Sequence, residues 1–347
     1  MSTDDLSARH EALVAQHPGL RIRDRAGRLG VSEAGLVARQ LGVSAIPLRC
    51  APVEIFPKLG SLGRIMCLTR NPWAVHERYG QFEDVQVNPQ VGLVLGKDID
   101  LRLFFGHWKH AWMVDDNGRQ SLQFFDKCGT AIHKIFRTDD TDAAAWQALV
   151  DEFRLPDGEV QLPVFEEAPA PRVDHGAPLD EATRASLRQR WLAMTDPHEF
   201  IPMLRDMGLS RITAMAAVGD DLAQQTGLPD IEKVLQQVAD SGLPIMVFAG
   251  NRGAVQIHGG PVKKLMRTGP WYNVLDPDFN LHLNTEAVVS SWVVNRPTSD
   301  GPVTSLELYA DDGTLIVQLF GLRKPGNPEL AEWRALMKSL CSTPLHE

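Results

Sequence analysis

The sequence predicts an α+β chain made by structural duplication, with two stacked antiparallel β-sheets flanked by helices, and three observations carry that expectation. Laid over itself at a shift of about 180 residues, the chain matches itself piece by piece. Within each copy, alternating apolar runs broken by Gly and Asp turns read as strands. Each copy then closes on the same amphipathic helical pattern, AAAWQALVDEF in the first and LAEWRALMKSL in the second, which superposes Trp146 on Trp333.

Taken in order, LGVS at 29–32 echoes MGLS at 207–210, ahead of the strands. IMCLTRNPWAVHERYG, from Ile65, matches IMVFAGNRGAVQIHGG, from Ile245, pairing Asn71 with Asn251, Ala74 with Ala254 and Gly80 with Gly260. Leu101, Leu103 and Trp112 meet Leu281, Leu283 and Trp292, and SLQFFDKCGTAIHKIF then aligns with SLELYADDGTLIVQLF. The runs LRLFF, HAWMV, SLQFF and HKIF predict antiparallel strands separated by turns such as Asp115-Asp116-Asn117-Gly118. Helices precede this meander and one follows it, an order suited to helices covering a single sheet face. Pro156, Pro163, Pro169, Pro171 and Pro178, with Glu166 and Glu167, give 155–180 the composition of a stiff connector. The expected division is therefore a first repeat over 1–154, the connector over 155–180 and a second repeat over 181–347.

Composition narrows the function. Hydrophobic residues at 44% and charged residues at 23% are ordinary globular usage. No apolar stretch reaches the roughly 18 residues a membrane span requires, and the opening MSTDDLSARHEALVAQHPG has no basic segment followed by an apolar core, so a cytoplasmic protein without membrane insertion is expected. Cys50, Cys67, Cys128 and Cys341 lack C-x-x-C spacing, which excludes a zinc knuckle and a dithiol motif. A net charge of −9 works against general nucleic-acid binding. Walker, G-x-S-x-G, H-E-x-x-H and dinucleotide signatures are missing.

Eleven histidines remain as metal-ligand candidates, and His198 has the most suggestive context. In Thr195-Asp196-Pro197-His198-Glu199-Phe200, Asp196 reads as an N-cap, Pro197 as the first helical residue and Glu199 as a capping-box partner. His198 then lies in the first turn, where the helix dipole favours a neutral ring with a lone pair for a metal. The plain alternative is an exposed histidine on a capped helix. Alternation places Asp100, Arg102 and Phe104 on one strand face, where Arg102 reads either as a partner for a planar anion or as half of a solvent-facing pair with Asp100. His282 stands at the Arg102 position of the second copy.

These segments together resemble the HemS-like cytoplasmic hemin-binding proteins, or hemin-degrading factors, of bacterial heme uptake. The likeness covers almost the whole chain and includes RIRDRAGRLGVSEAGLVA, LTRNPWAVHERYG, IDLRLFF, WLAMTDPHEF, GLSR, WVVNRPTSDGPVTSLELY and QLFGLRKPG. The resemblance implies that His198 is the axial ligand of heme iron, that Arg102 reaches the distal side, and that Arg211 contributes basic lining. It implies that Phe248 is a pocket aromatic and that the residue before Pro-Thr in the second-copy loop holds a propionate. That residue is typically lysine and is Arg296 here, which keeps the charge and adds a bidentate fork. Arg323 is a further propionate neighbour, Phe104 a further apolar wall, and His76 either a secondary heme contact or a surface helix residue.

The function implied is a chaperone for heme b (hemin) that passes it to a heme oxygenase or another acceptor and works beside the heme-import transporter. The alternative is an enzyme that opens the porphyrin oxidatively, with Arg102 in the catalytic role. A third reading is a duplicated interaction module that has lost the heme site.

Overall fold

The computed structural model describes every residue except 1, 2, 157, 158, 161, 170–172, 175, 229 and 325, together with the backbone alone of 3–5. Pro171 of the expected connector lies outside the described residues. The chain opens with α1 (Thr3–Gln16), α2 (Ile22–Leu29) and α3 (Glu33–Ala38), then β1 (Ala45–Leu48), α4 (Pro52–Ile55) and a 3-10 segment, Phe56–Leu62. A meander follows: β2 (Gly63–Arg70), β3 (Ala74–Gly80), β4 (Val85–Val87), β5 (Val91–Leu95), β6 (Asp100–Phe104), β7 (His110–Asp116), β8 (Arg119–Phe125) and β9 (Ala131–Thr141). Helix α5 (Ala143–Phe153) closes the first copy.

The second copy repeats this order with α6 (Glu181–Leu192), α7 (Phe200–Met207), α8 (Arg211–Val218), β10 (Ala223–Thr226) and α9 (Asp230–Ser241). Its meander is β11 (Ile245–Gly250), β12 (Ala254–Gly260), β13 (Leu265–Thr268), β14 (Trp271–Leu275), β15 (Phe279–Asn284), β16 (Ser290–Arg296), β17 (Val303–Tyr309) and β18 (Leu315–Gly321). Helix α10 (Ala331–Ser339) ends it.

The strands form two nine-stranded antiparallel sheets, ordered β1-β7-β8-β9-β2-β3-β15-β14-β13 and β10-β16-β17-β18-β11-β12-β6-β5-β4. The second order is the first with each strand replaced by its counterpart in the other copy, as the internal repeat requires. Each sheet nevertheless carries strands of both copies, which the sequence did not suggest. Alternation fixes which face a side chain takes and is silent on which strand becomes the hydrogen-bonding neighbour.

Two compact units result. The first comprises Met1–Arg70, Arg78–Pro169 and Asn251–Val255, and the second Asn71–Glu77, Ala170–Gly250 and Gln256–Glu347. The repeated Asn-x-x-Ala turn explains why a short piece of each copy is counted with the other. Asn71 Oδ1 accepts from the amides of Trp73 and Ala74, while its Nδ2 donates to Gly250 O and Ile316 O, at 3.2 and 2.8 Å, within the second unit. Asn251 does the same in the first unit, accepting from Gly253 N and Ala254 N and donating to Arg70 O and Ile132 O, both at 2.9 Å. Ala74 and Ala254, both fully buried, complete the cores of the units that receive them.

In the first unit, Trp146, Leu149, Val150 and Phe153 of α5 pack on one sheet face against Met113, Leu122, Phe124 and Ile135. On the opposite face Ala34, Val37 and Ala38 of α3 meet Trp112, Val114 and Phe125. In the second unit α9 and α10 cover one face, and α6, α7 and α8 cover Trp292, Val294 and Tyr309 on the other. Helices therefore lie on both faces of each five-stranded block, β1-β7-β8-β9-β2 and β10-β16-β17-β18-β11, where one covered face was expected. The strands next to each block's edge carry large apolar residues at consecutive positions, such as Ala111 to Val114, and both faces need cover.

The echo LGVS/MGLS has a local cause. Gly30 and Gly208 end α2 and α7 in the left-handed region, with φ of 69° and 66°, which a residue with a Cβ adopts only at a cost. Ser32 and Ser210 then cap the next helices, accepting from Gly35 N and Thr213 N. Glu33 and Arg211 thereby become the first residues of α3 and α8.

Candidate ligand site

His198 lies in a single 3-10 turn, Pro197–Glu199, immediately before α7. Asp196 caps that turn, its Oδ1 accepting from the His198 amide at 2.8 Å. Glu199 takes a hydroxyl hydrogen bond from Thr195. The same Asp196 oxygen lies 2.6 Å from His198 Nδ1. The His198 amide, then the His198 ring and the Arg323 charge, hold the Asp196 carboxyl below its ordinary range, so it accepts. The tautomer that makes this bond carries its proton on Nδ1 and leaves the Nε2 lone pair unshared. The His198 side chain is 92% exposed, so that lone pair faces outward on a ring oriented by a carboxylate, the usual support for a metal-ligating histidine.

Arginines surround this turn within the second unit. Arg323, just past β18, is 11% exposed and donates to Asp300 Oδ2 at 3.2 Å; Asp300 also accepts from Gly326 N. The Asp300 loop is tied to the histidine segment by Ser299 N donating to Thr195 O at 2.8 Å. Arg211 at the start of α8 is 23% exposed and donates to Glu307 Oε2 at 3.1 Å. Arg296, at the end of β16, is 3% exposed and is committed inward, to Glu307 and to Ser305 Oγ, with its guanidinium 4.4 Å from the centre of the Phe200 ring. In this arrangement Arg296 braces the interior, and Arg323 and Arg211 are the arginines nearer the surface.

Register places the apolar part of the site. Trp292, Glu307, Gln318 and Phe248 are successive cross-strand partners along one row and share one face of the second unit's sheet. Phe248 and Phe320, both half-buried, meet edge to face at 5.1 Å on that face. Gln318 Nε2 donates to Glu307 Oε1 at 2.8 Å.

Of the remaining candidates, Arg102 and Phe104 belong to the first unit and His76 to the second. Arg102 is paired with Asp100 on β6 and also donates to Leu101 O, both side chains being 32% exposed. Phe104, two residues on, is 39% exposed. His76 lies on strand β3, where a surface helix was the expected alternative; it is fully buried, with its ring 4.9 Å from Phe279. The alternation Ala74-His76 follows the buried face of the strand, a signal that the run AVHERYG contained.

Sequence reasoning missed five contributors. Asp196 was read only as a cap, although a carboxylate two residues before a candidate ligand can reach its ring. Glu307 is a charge inside the apolar run of β17, which is itself a signal. Gln318 and Phe320 alternate with buried Leu319 and so share a face. Phe200 carried no signal beyond apolarity.

An outward imidazole lone pair, arginines and a half-buried aromatic pair on a duplicated α+β scaffold can together hold a flat, anionic, metal-bearing ligand. Residues 30–153 and 208–340 match the haemin-degrading HemS.ChuX domain, and the chain belongs to that family. It is 39% identical over 325 residues to the hemin transport protein HmuS of Yersinia pestis, covering 92% of each. It is also 39% identical over 328 residues, again 92% of each, to the hemin transport protein HemS of Yersinia enterocolitica. Among solved structures it resembles apo-PhuS, a heme-binding protein from Pseudomonas aeruginosa, with 43% identity, a TM-score of 0.90 and coverage of 98% of this chain and 99% of that one. The heme degrading enzyme ChuS of Escherichia coli O157:H7 is similar at 38% identity and a TM-score of 0.89, over 97% and 99% of the two chains. Among the described residues no helix is long and apolar enough to cross a membrane.

Proposed function

We propose that this protein binds hemin in the cytoplasm, with His198 as the axial ligand of the iron, and passes it to an acceptor such as a heme oxygenase. One observation carries the reading: Asp196 orients the His198 ring through Nδ1 and leaves Nε2 directed to solvent on an almost fully exposed side chain. Heme brings four nitrogens of its own, so a single protein ligand with apolar contact and basic groups at the rim completes a site. Phe248 and Phe320 offer the apolar contact. Arg323 and Arg211 offer the charges for the two propionates, each already steadied by an acid, Asp300 and Glu307. Arg296 supports Arg211 from beneath through the shared Glu307. The names of the relatives, hemin transport proteins and heme-binding proteins, favour the same ligand.

Oxidative opening of the porphyrin is the second reading. It is favoured by Arg102, a partly exposed cation beside the exposed Phe104, and by the resemblance to an enzyme described as heme degrading. Under it, Arg102 would take the catalytic role.

Hemin titration followed at the Soret band tests the first reading, with saturation expected at one equivalent per chain. Mixing the loaded protein with excess apomyoglobin is then expected to move the band intact to myoglobin. Loss of the band on adding a reductant with catalase present would instead assign the protein to degradation, and failure to saturate would overturn both readings.

A further inference from the structure

We propose that Glu307 is a positioning residue of the ligand site: it holds the Arg211 guanidinium at Nη1, beside Tyr309, and so fixes where that charge is presented to an anionic ligand, a role that rests on the hemin reading above. Glu307 is 0% exposed in the middle of β17, where an uncompensated carboxylate would be strongly unfavourable. Its compensation is complete. Arg296 and Arg211 donate to it from two sides, Tyr309 Oη and Ser305 Oγ at 2.5 and 2.9 Å, and Gln318 Nε2 at 2.8 Å. Burial opposes the charge, and the two arginines with Tyr309 outweigh it.

The network reaches the ligand side by two routes. Along the sheet, Gln318 links Glu307 to Phe248 in one cross-strand row. Through the helices, the Phe200 ring lies 4.4 Å from the Arg296 guanidinium and 5.4 Å from that of Arg211, and Phe200 directly follows the 3-10 turn that carries His198. Glu307 thus sets Arg211, whose guanidinium packs on the residue that follows the His198 turn.

The first copy supplies an internal control. There the buried pair has opposite polarity: helix-borne Glu33 meets Lys134 and Arg70 of the sheet, and Gln123 occupies the place of Glu307. Gln123 is buried at 6% exposure, so this strand position accepts a neutral amide without losing the sheet. What the carboxylate adds in the second copy is a partner for a cation carried by the helix layer, beside the His198 turn.

The test compares hemin with its dimethyl ester, which lacks both carboxylates, in wild type and Glu307→Gln. Wild type is expected to prefer hemin, and Glu307→Gln to lose roughly tenfold of that preference, the equivalent of about one charged hydrogen bond, with the Soret position and the ester's affinity retained. An unchanged preference, or equal weakening of both ligands, would overturn the positioning role. If Glu307→Gln does not fold, Glu307→Asp decides: retained charge should retain most of the preference, and equal weakening of both ligands again counts against it. Wild type that binds the ester and hemin equally would sink the proposal while leaving hemin binding intact; wild type that binds neither would sink the hemin reading itself.

Discussion

At the residue scale, the proposed site depends on two acids that act through other groups. Asp196 fixes the His198 ring, so Asp196→Ala is expected to weaken hemin binding by roughly 10- to 100-fold, and Asp196→Asn, which keeps the cap but not the charge, by less. Isothermal or Soret titration of the two variants checks the order; equal affinities to wild type would contradict it. Glu307 is held at about 2 in the folded protein against an ordinary 4.5. Burial would raise it, and Arg296 and Arg211 reverse that effect. Because the folded value is the lower one, the unfolded chain binds the extra proton between pH 4.5 and 2 and stability rises with pH across that window. The contribution is fully present above the upper limit, amounts to something on the order of 3 kcal/mol, and is lost as the pH falls through the folded value. Denaturant unfolding of Glu307→Gln between pH 5 and 2.5 should therefore show a shallower loss than wild type. A parallel loss would contradict this. The position of His198 was legible from Asp196-Pro197; the partnership of Glu307 with Arg211 was not, because it joins residues 96 apart in sequence.

At the element scale, the repeated turns and closing helices do the assembling. Each of Asn71 and Asn251 satisfies two amides and two carbonyls, and removal leaves partly buried backbone groups unpaired. Asn71→Ala and Asn251→Ala are each expected to cost about 2–4 kcal/mol, measured by denaturant unfolding; a cost below about half a kcal/mol for either would show the turn to be self-sufficient. Helix α10 docks by seating fully buried Trp333 over Gly321, where an added Cβ would stand 2.7 Å from the indole, and by the Trp333 Nε1 bond to Thr304 O. Gly321→Ala should lower the melting temperature through overpacking of about 1–3 kcal/mol, and an unchanged value would mean that α10 shifts freely on the sheet. Strand positions and the closing helices were legible from alternation and from the Trp146/Trp333 match. The partners of the strands were not, since β3 and β12 look alike in pattern whichever neighbour they take. The burial of His76 was readable from its alternation with Ala74 and was hidden by reading AVHERYG as helical.

At the scale of the whole molecule, duplication made the scaffold, and the proposed site lies where the two copies diverge. Both copies keep capped helices over a sheet with a buried ion pair, yet the pair is reversed in polarity and the carboxylate-oriented imidazole of the second copy has no counterpart at the matching position of the first, which is Leu20. A chain of this kind should bind one hemin through its second copy, so Arg211→Ala and Arg323→Ala should weaken binding additively if each answers a separate propionate, by about 1–2 kcal/mol apiece. The match between copies was legible from end to end, because a repeat survives in the spacing of apolar residues. The polarity of the buried pair was legible only once the register had set Glu307 beneath Arg211. The measurement that bears most directly on the account is a hemin titration of wild type and His198→Ala, read at the Soret band with and without added imidazole. The account predicts a saturable band in wild type that is weakened and reshaped in His198→Ala and restored by imidazole; superimposable spectra for the two proteins would contradict it.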